Sequence, residues 1–381
     1  MRVHQIVSDC LCEASGPSYS VPGLCGGLIA NGVSVIFHAL SVSRAMSFPF
    51  TVKTYPWHRF PSYALGRSPA MLEGLRVASA QADIFHNNGL WMLPNVYSSW
   101  AIRNTKCKLV TSPRGSLAEW SLRQSYWKKR FFVFLFRNAM LQHADMFHAT
   151  SEKEYEEIRA QGYRQPVAIV PIGMDLPEIE PRNTLNTRKG EKRKVVFFGR
   201  LHKVKGVDRL LLAWEKVAKA GWELVIAGPD CGMLEELKGI VAARKLPCVS
   251  FVGEINGPAK YAFLAGGDIY VLPSDTENFG VTVAEALASG TPVIASQGTP
   301  WQGLERERCG RWVPIGVEPL AAALKEMMAM SDVDRAAMGA RGRAWIARDF
   351  SWKGIGAKMK AAYEWLLAPE KVEKPELVVS D

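Results

Sequence analysis

Lys194-Val-Val-Phe-Phe-Gly199-Arg200-Leu-His-Lys-Val-Lys205-Gly206 is an apolar β run that ends in a glycine and two spaced cations before the next helical pattern. A parallel α/β sheet binds its ligands outside the carboxyl ends of its strands, so Arg and Lys there suit a pyrophosphate. Downstream stands Ser274-Asp-Thr-Glu277-Asn-Phe-Gly280-Val-Thr-Val-Ala-Glu285-Ala-Leu-Ala-Ser-Gly290-Thr-Pro-Val-Ile294. Pro273 and the turn residues Asp275, Asn278 and Gly280 read as a loop leaving a strand, and Val281 to Ser289 as a helix closed by Gly290. Glu277 therefore lies in a loop at a helix N-terminus and Glu285 inside the helix. Amides there face a phosphate, and a carboxylate accepts hydrogen bonds from sugar hydroxyls. Alone, the glutamates also read as a solvated loop and a surface helix residue, and Gly-Arg as a basic turn.

Together the two stretches resemble retaining glycosyltransferases of family 4, whose hallmark is Gly-Arg, four residues, Lys-Gly, then Glu, seven residues, Glu. The resemblance covers most of the chain. Gly16-Pro-Ser18-Tyr-Ser-Val-Pro-Gly-Leu-Cys-Gly-Gly-Leu-Ile-Ala-Asn-Gly32 looks like the family's glycine loop and first helix. Ala82-Asp-Ile-Phe-His86-Asn-Asn88-Gly-Leu-Trp91 and Ser112-Pro-Arg114-Gly-Ser-Leu-Ala-Glu-Trp120 resemble acceptor-side loops. His148-Ala-Thr-Ser151 and Val170-Pro-Ile-Gly173-Met-Asp175 look like the close of the first half, and Gly298-Thr-Pro-Trp301 also matches.

Strand and helix signals alternate throughout. Apolar runs Val3–Val7, Val33–Ala39, Asp83–His86, Lys108–Ser112, Met146–Ala149 and Val167–Val170 are the strands expected in the first half. Lys194–Phe198, Glu223–Ala227, Val249–Val252, Ile269–Leu272 and Pro292–Ala295 repeat the pattern in the second. The alternation predicts an α/β protein with two doubly wound parallel sheets. At 381 residues the chain exceeds a typical single core, and the polar stretch Pro177–Lys194 is the best linker. The resemblance implies the GT-B arrangement: facing Rossmann-like domains at 1–175 (acceptor) and 176–351 (nucleotide sugar), an interdomain cleft, and a helix at 352–367 completing the first domain. Residues 368–381, rich in Glu, Lys and Pro, are expected as a frayed, flexible tail.

The activity implied by the family is transfer of a hexose-type sugar from a UDP- or GDP-sugar to a hydroxyl, with retention at the anomeric carbon. Breaking that bond builds negative charge on the departing diphosphate, which preorganised cations stabilise. Arg200 and Lys205 match the family's positions for this role, next to Gly199. Glu277 matches the residue that holds donor-sugar hydroxyls, with the backbone of Asn278, Phe279, Gly280 and Val281 close by. Glu285 matches the one that holds the ribose, while Gly16 and Ser18 would approach the diphosphate from the first domain. No carboxylate is placed as a nucleophile, so a front-face mechanism is expected. The motifs contain no Asp-x-Asp, so neither metal nor other cofactor is expected.

Two positions depart from the family pattern: many members carry histidine where Arg114 and Asn88 stand. Arginine cannot act as a base at neutral pH, so Arg114 would clamp an anion, a donor or acceptor phosphate. His86 reads either as an active-site residue or as a packed histidine. Trp91 and Trp120 read either as acceptor-stacking surfaces or as core, since the chain has 12 tryptophans.

Charge is uneven: residues 1–170 hold 18 Lys+Arg against 10 Asp+Glu, the remainder 29 against 27. Arg123-Gln-Ser-Tyr-Trp-Lys128-Lys129-Arg130-Phe-Phe-Val-Phe-Leu-Phe-Arg137 combines cations with aromatics. It reads either as a surface for an anionic membrane or lipid pyrophosphate, or as an amphipathic core helix with solvated cations. No nucleic-acid module accompanies the charge. No run reaches 18 uncharged apolar residues and no signal-like region opens the chain, so a cytoplasmic protein is expected, peripheral on the inner membrane's cytoplasmic face. The seven cysteines show no metal-ligand spacing. By resemblance the acceptor is a glycan or a polyprenyl-diphosphate-linked lipid of bacterial surface polysaccharide assembly. A hydrolysing sugar-nucleotide epimerase or a non-catalytic nucleotide-sugar-binding subunit are the alternatives. A nicotinamide dehydrogenase is disfavoured, since no Gly-x-Gly-x-x-Gly follows the first strand.

Overall fold

The computed structural model describes residues 1–10, 16–42, 48–57, 65–123, 136, 141–178 and 192–380, with backbone alone at 9, 10, 120 and 123. The chain divides into two compact units, Met1–Gly173 with Trp352–Asp381, and Met174–Ser351. Residues 124–137 of the basic stretch that begins at Arg123, and linker residues 179–191, lie outside the described residues, Phe136 excepted; that side chain meets Trp100 edge-on at 6.1 Å.

Strands β1 (Arg2–Val7), β2 (Ser34–Ala39), β3 (Thr51–Thr54), β4 (Ile84–Asn88), β5 (Lys108–Ser112), β6 (Met146–Ala149) and β7 (Val167–Ile169) belong to the first unit. The second unit holds β8 (Arg193–Phe198), β9 (Trp222–Ala227), β10 (Val249–Gly253), β11 (Ile269–Leu272), β12 (Val293–Ser296) and β13 (Gly310–Val313). β14 (Val378–Val379) returns to the first. The sheet orders are β14-β7-β6-β5-β4-β1-β2-β3 and β10-β9-β8-β11-β12-β13. All neighbours in both are parallel except β14 on β7. Parallel strands covered on both faces read as continuous apolar runs, and those runs marked the central strands. β3 (Thr-Val-Lys-Thr) and β13 (Gly-Arg-Trp-Val) went unread because edge strands half open to water carry no such run.

The tail expectation is corrected. Behind the polar stretch 369–376, Val378 pairs with Ala168 and Val379 with Val167, and Val378 is buried in the first unit's core. Three residues, Leu377–Val379, suffice because β7 offers an open edge: the Ile169 amide donates to the Leu377 carbonyl at 2.8 Å.

Helix Gly16–Ile29, with four glycines and prolines at 17 and 22, has poor intrinsic propensity and depends on packing. Its partner is helix Trp352–Leu367. A Cβ on Gly27 would lie 2.2 Å from the Trp352 carbonyl oxygen, and one on Gly356 2.2 Å from the Gly27 backbone. The Trp352 indole fills the space a Cβ would need at Gly23 and Gly173. The two helices touch backbone to backbone, which ties the late helix to the first unit.

Among the described residues of this unit four imidazoles are buried. His4 Nδ1 meets His38 Nε2 at 2.8 Å, and His38 Nδ1 meets the Tyr55 hydroxyl at 2.8 Å. Burial foremost, then neighbouring Lys53 and Arg2, lowers His4 from 6.5 to about 4; burial, then His4 and Lys53, lowers His38 to about 3. Burial and Arg114 lower His148 to about 3, and burial, His148 and Arg114 push His86 down as well. These rings stay neutral when folded but take a proton below pH 6.5 when unfolded. The unfolded chain then binds more protons, so stability is full above pH 6.5 and falls as pH drops toward 4. Each ring contributes a slope of about 1.4 kcal/mol per pH unit in that window. Urea midpoints should fall steeply between pH 7 and 5, and less steeply in His38→Gln; equal midpoints at the two pH values would refute this.

Candidate functional site

The second unit brings three loops together at the carboxyl ends of its strands. The loop after β8 carries Gly199 to Gly206, that after β11 carries Pro273 to Gly280, and that after β12 carries Gln297 to Trp301. The Asp275 amide donates to the Val204 carbonyl at 2.8 Å and the Glu277 amide to the Gly298 carbonyl at 2.8 Å. At Gly206, φ is +67° and a Cβ would sit 2.3 Å from the Pro273 carbonyl oxygen; at Gly298 it would sit 2.3 Å from that of Ser274. Only glycine permits these approaches.

Within this frame Lys205 Nζ lies 2.6 Å from Glu277 Oε1, and Ser274 Oγ donates to the same oxygen at 2.7 Å. Both charged side chains are only 13% exposed, so the pair is sheltered from solvent. Arg209 braces the loop by donating to the Pro273 carbonyl at 2.9 Å and pairing with Asp275 at 2.6 Å. Gly280, at φ +77°, turns the chain into helix Val281–Ala288. The amides of Phe279, Gly280 and Val281 donate to no backbone carbonyl among the described residues, as the first turn of a helix leaves them. Trp301 explains the Gly-Thr-Pro-Trp motif: its indole N–H donates to the Phe279 carbonyl at 2.5 Å, and its ring packs on Phe279, Trp345 and Phe350.

Glu285 is buried and meets Lys260 Nζ at 2.5 Å. Burial raises its carboxyl above the usual carboxylate range and Lys260 opposes that rise. Lys260 escaped the sequence reading because no motif spacing links it to Glu285; Ser274 stood inside the quoted stretch without a role. Arg200 is exposed, and its guanidinium has no partner among the described residues. Gly199 meets Gly228 backbone to backbone, a Cβ on Gly228 falling 1.9 Å from the Gly199 carbonyl oxygen. Among the described residues no group of three or more His, Cys, Asp or Glu could hold a metal ion. The Asp332-Val-Asp334 step is occupied: Arg193 holds Asp332 at 2.7 and 2.9 Å, and Ser331 donates to Asp334 at 2.6 Å.

In the first unit His86, Asn88 and Arg114 come together. His86 is fully buried; its Nδ1 lies 2.5 Å from the Tyr363 hydroxyl and its Nε2 2.9 Å from Ser112 Oγ. Arg114, at φ +55°, donates to Asn88 Oδ1 from Nη2 at 2.9 Å and from Nε at 3.3 Å. Its Nη1 reaches Ser20 Oγ at 3.5 Å, on the first turns of the helix that contains Gly16 and Ser18. Buried Glu154 fixes the loop carrying Arg114, accepting from the Gly115 amide at 2.8 Å and the Thr150 amide at 2.7 Å. Trp91 is half-buried beside the core that includes Leu90 and Phe147. The side chain of Trp120 lies outside the described residues. Tyr363, Gln5, Ser112, Ser20 and Glu154 were not singled out, since they are distant in sequence from the motif they touch.

Two family models match: glycosyl transferase 4-like domain over residues 15–173 and glycosyl transferases group 1 over residues 182–345. A D-inositol 3-phosphate glycosyltransferase of Segniliparus rotundus is 31% identical over 215 residues, 52% of this chain and 47% of that protein. A phosphatidyl-myo-inositol mannosyltransferase of Mycobacterium tuberculosis is 29% identical over 202 residues, 51% of this chain and 53% of that protein. The chain thus spans about half the length of the curated relatives it matches. Among solved structures, Anabaena HepE in complex with UDP and glucose superposes with a TM-score of 0.75 at 16% identity, over 96% of this chain and 99% of that one. With the two models matching one unit each, the α/β units built on parallel sheets and the likeness to these structures, the chain belongs to the family 4, group 1 glycosyltransferases of GT-B fold.

Proposed function

We propose that this glycosyltransferase moves a hexose-type sugar, with retention, from a UDP- or GDP-sugar to a hydroxyl of a glycan or lipid-linked acceptor in bacterial surface polysaccharide assembly. The observation that carries the reading is the sheltered Lys205–Glu277–Ser274 cluster beside the open amides of Phe279 to Val281. As the anomeric bond breaks, charge accumulates on the diphosphate, where Arg200, Lys205 and those amides lower the barrier. Glu277 accepts from donor-sugar hydroxyls and Glu285 from the ribose. Leaving-group oxygen takes the acceptor proton on the same face, so neither metal nor protein nucleophile is required. The binding of UDP and glucose by HepE is in keeping with such a donor. Arg114, Asn88, His86, Trp91 and Trp120 serve the acceptor side, with Gly16 and Ser18 near phosphate. Among the described residues no helix is long and apolar enough to cross a membrane. The basic stretch from Arg123 to Arg137 is then the part that meets an anionic membrane surface.

A melting screen of UDP- and GDP-sugars tests the donor class. The right ligand at 100 times its dissociation constant stabilises by about 2.7 kcal/mol, and a flat response to every nucleotide sugar would end the reading.

Site variants test the roles. Arg200→Ala and Lys205→Ala should each cost about 100-fold or more in turnover with the fold intact by circular dichroism. By calorimetry, Glu285→Ala should weaken free nucleotide, whereas Glu277→Ala should spare it and impair the nucleotide sugar. Equal losses for both ligands in both glutamate variants would sink this division.

A further inference from the structure

The first unit contains one continuous hydrogen-bond chain whose direction is fixed independently at its two ends. At one end the Val170 carbonyl can only accept, so His148 presents Nε2–H to it at 2.9 Å. A neutral His148 then offers a lone pair at Nδ1, and Ser112 donates its hydroxyl proton there at 2.7 Å. Ser112 Oγ consequently accepts from His86 Nε2–H at 2.9 Å, which leaves a lone pair on His86 Nδ1. At the other end Arg114 can only donate, so Asn88 turns Oδ1 toward it. Asn88 Nδ2 must then donate to Gln5 Oε1, at 2.9 Å, and Gln5 Nε2 must point at His86 Nδ1, at 3.2 Å. The two deductions meet and agree: the His86 Nδ1 lone pair accepts from the Tyr363 hydroxyl at 2.5 Å, and the Gln5 Nε2 group lies across both, 3.2 Å from that nitrogen and 3.4 Å from the Tyr363 oxygen to which it donates.

Three of the five Arg114 N–H groups are engaged, two on Asn88 and one on Ser20. The nearby Glu154 carboxyl supports this guanidinium against burial, and the two N–H groups without a partner among the described residues are left to take an anion. We propose that Gln5, Asn88 and His86 are positioning residues for Arg114, a polarity-locked chain anchored on β1, β4 and helix Trp352–Leu367 that aims the guanidinium at a phosphate group of the substrate. His86 acts here through Gln5 and Asn88, as an acceptor in the chain. The substrate side of this inference rests on the glycosyltransferase reading; the order of the chain does not.

Long-range ¹⁵N–¹H correlation of the imidazoles at pH 7, assigned with His86→Gln and His148→Gln, should find both rings neutral and protonated at Nε2. An Nδ1–H tautomer or an imidazolium at either ring overturns the chain. Gln5→Glu removes the Gln5 donor but leaves His148, Ser112 and Tyr363 in place, so His86 should keep Nε2–H; a switch to Nδ1–H would show that the His148 end does not fix the direction and would also overturn it. Calorimetry with UDP and with geranyl diphosphate reads the aim of Arg114. Arg114→Gln should weaken one probe about tenfold, and the probe affected distinguishes a donor diphosphate from a lipid diphosphate. Gln5→Leu should weaken that same probe several-fold, and the double variant should bind no worse than Arg114→Gln alone. Losses that multiply, or no loss for either probe, would remove the positioning role. A flat nucleotide-sugar melting screen with correct tautomers would instead strike the glycosyltransferase reading alone.

Discussion

Backbone meeting backbone, with no room for a Cβ, is the constraint on which the second unit's site depends. Gly206 lies against Pro273, Gly298 against Ser274 and Gly228 against Gly199, each where an added methyl would fall within 2.3 Å of a carbonyl oxygen. Four loops from four strand ends therefore form one layer, and Lys205 and Glu277 project from parts of it that cannot slide apart. Preorganisation of this kind lets a charge pair stabilise a developing charge without reorganising when the bond breaks. The same device recurs in the first unit, where Gly27 and Gly356 seat one helix against another. In both places sterics, rather than propensity, sets the geometry.

The two units handle polarity in opposite ways. The second keeps its ions: Lys205 with Glu277 and Lys260 with Glu285 are sheltered pairs, each partner lowering the desolvation penalty of the other. The first buries mostly imidazoles, amides and hydroxyls, with Arg114 at the end of the chain from His148 and the Glu154 carboxyl buried beside its loop. A neutral network costs little to bury while every donor has an acceptor, and a proton added to any ring removes one acceptor. Acid therefore acts on this unit through folding.

Much of the fold was legible because central parallel strands must be apolar on both faces. Lys108–Ser112, Met146–Ala149 and Ile269–Leu272 were readable to the residue, and the helix after Gly280 followed from its glycine bounds. β14 was not, since three apolar residues behind a polar run carry no signal until an open edge receives them. The site shows the same division. Lys205 and Glu277 belong to spaced motifs, whereas Lys260 and Tyr363 reach Glu285 and His86 from separate elements. Proximity of that kind is created by topology and leaves no period in the sequence.

Asn88 and Arg114 show what a paired departure from a motif can mean. A histidine can donate or accept at either nitrogen, so a pair of them leaves the direction of a hydrogen-bond chain open and lets it change with pH. Arginine admits only one direction and keeps its charge across the physiological range. Once Arg114 stands at the loop after β5, an asparagine at 88 satisfies it, by turning oxygen toward the guanidinium and nitrogen toward Gln5. An aspartate there would accept from Arg114 equally well but could not donate onward, and the order would break at Gln5. The two positions are thus read as one unit, and what they specify jointly is a fixed, pH-independent cation where the family pattern places a titratable ring.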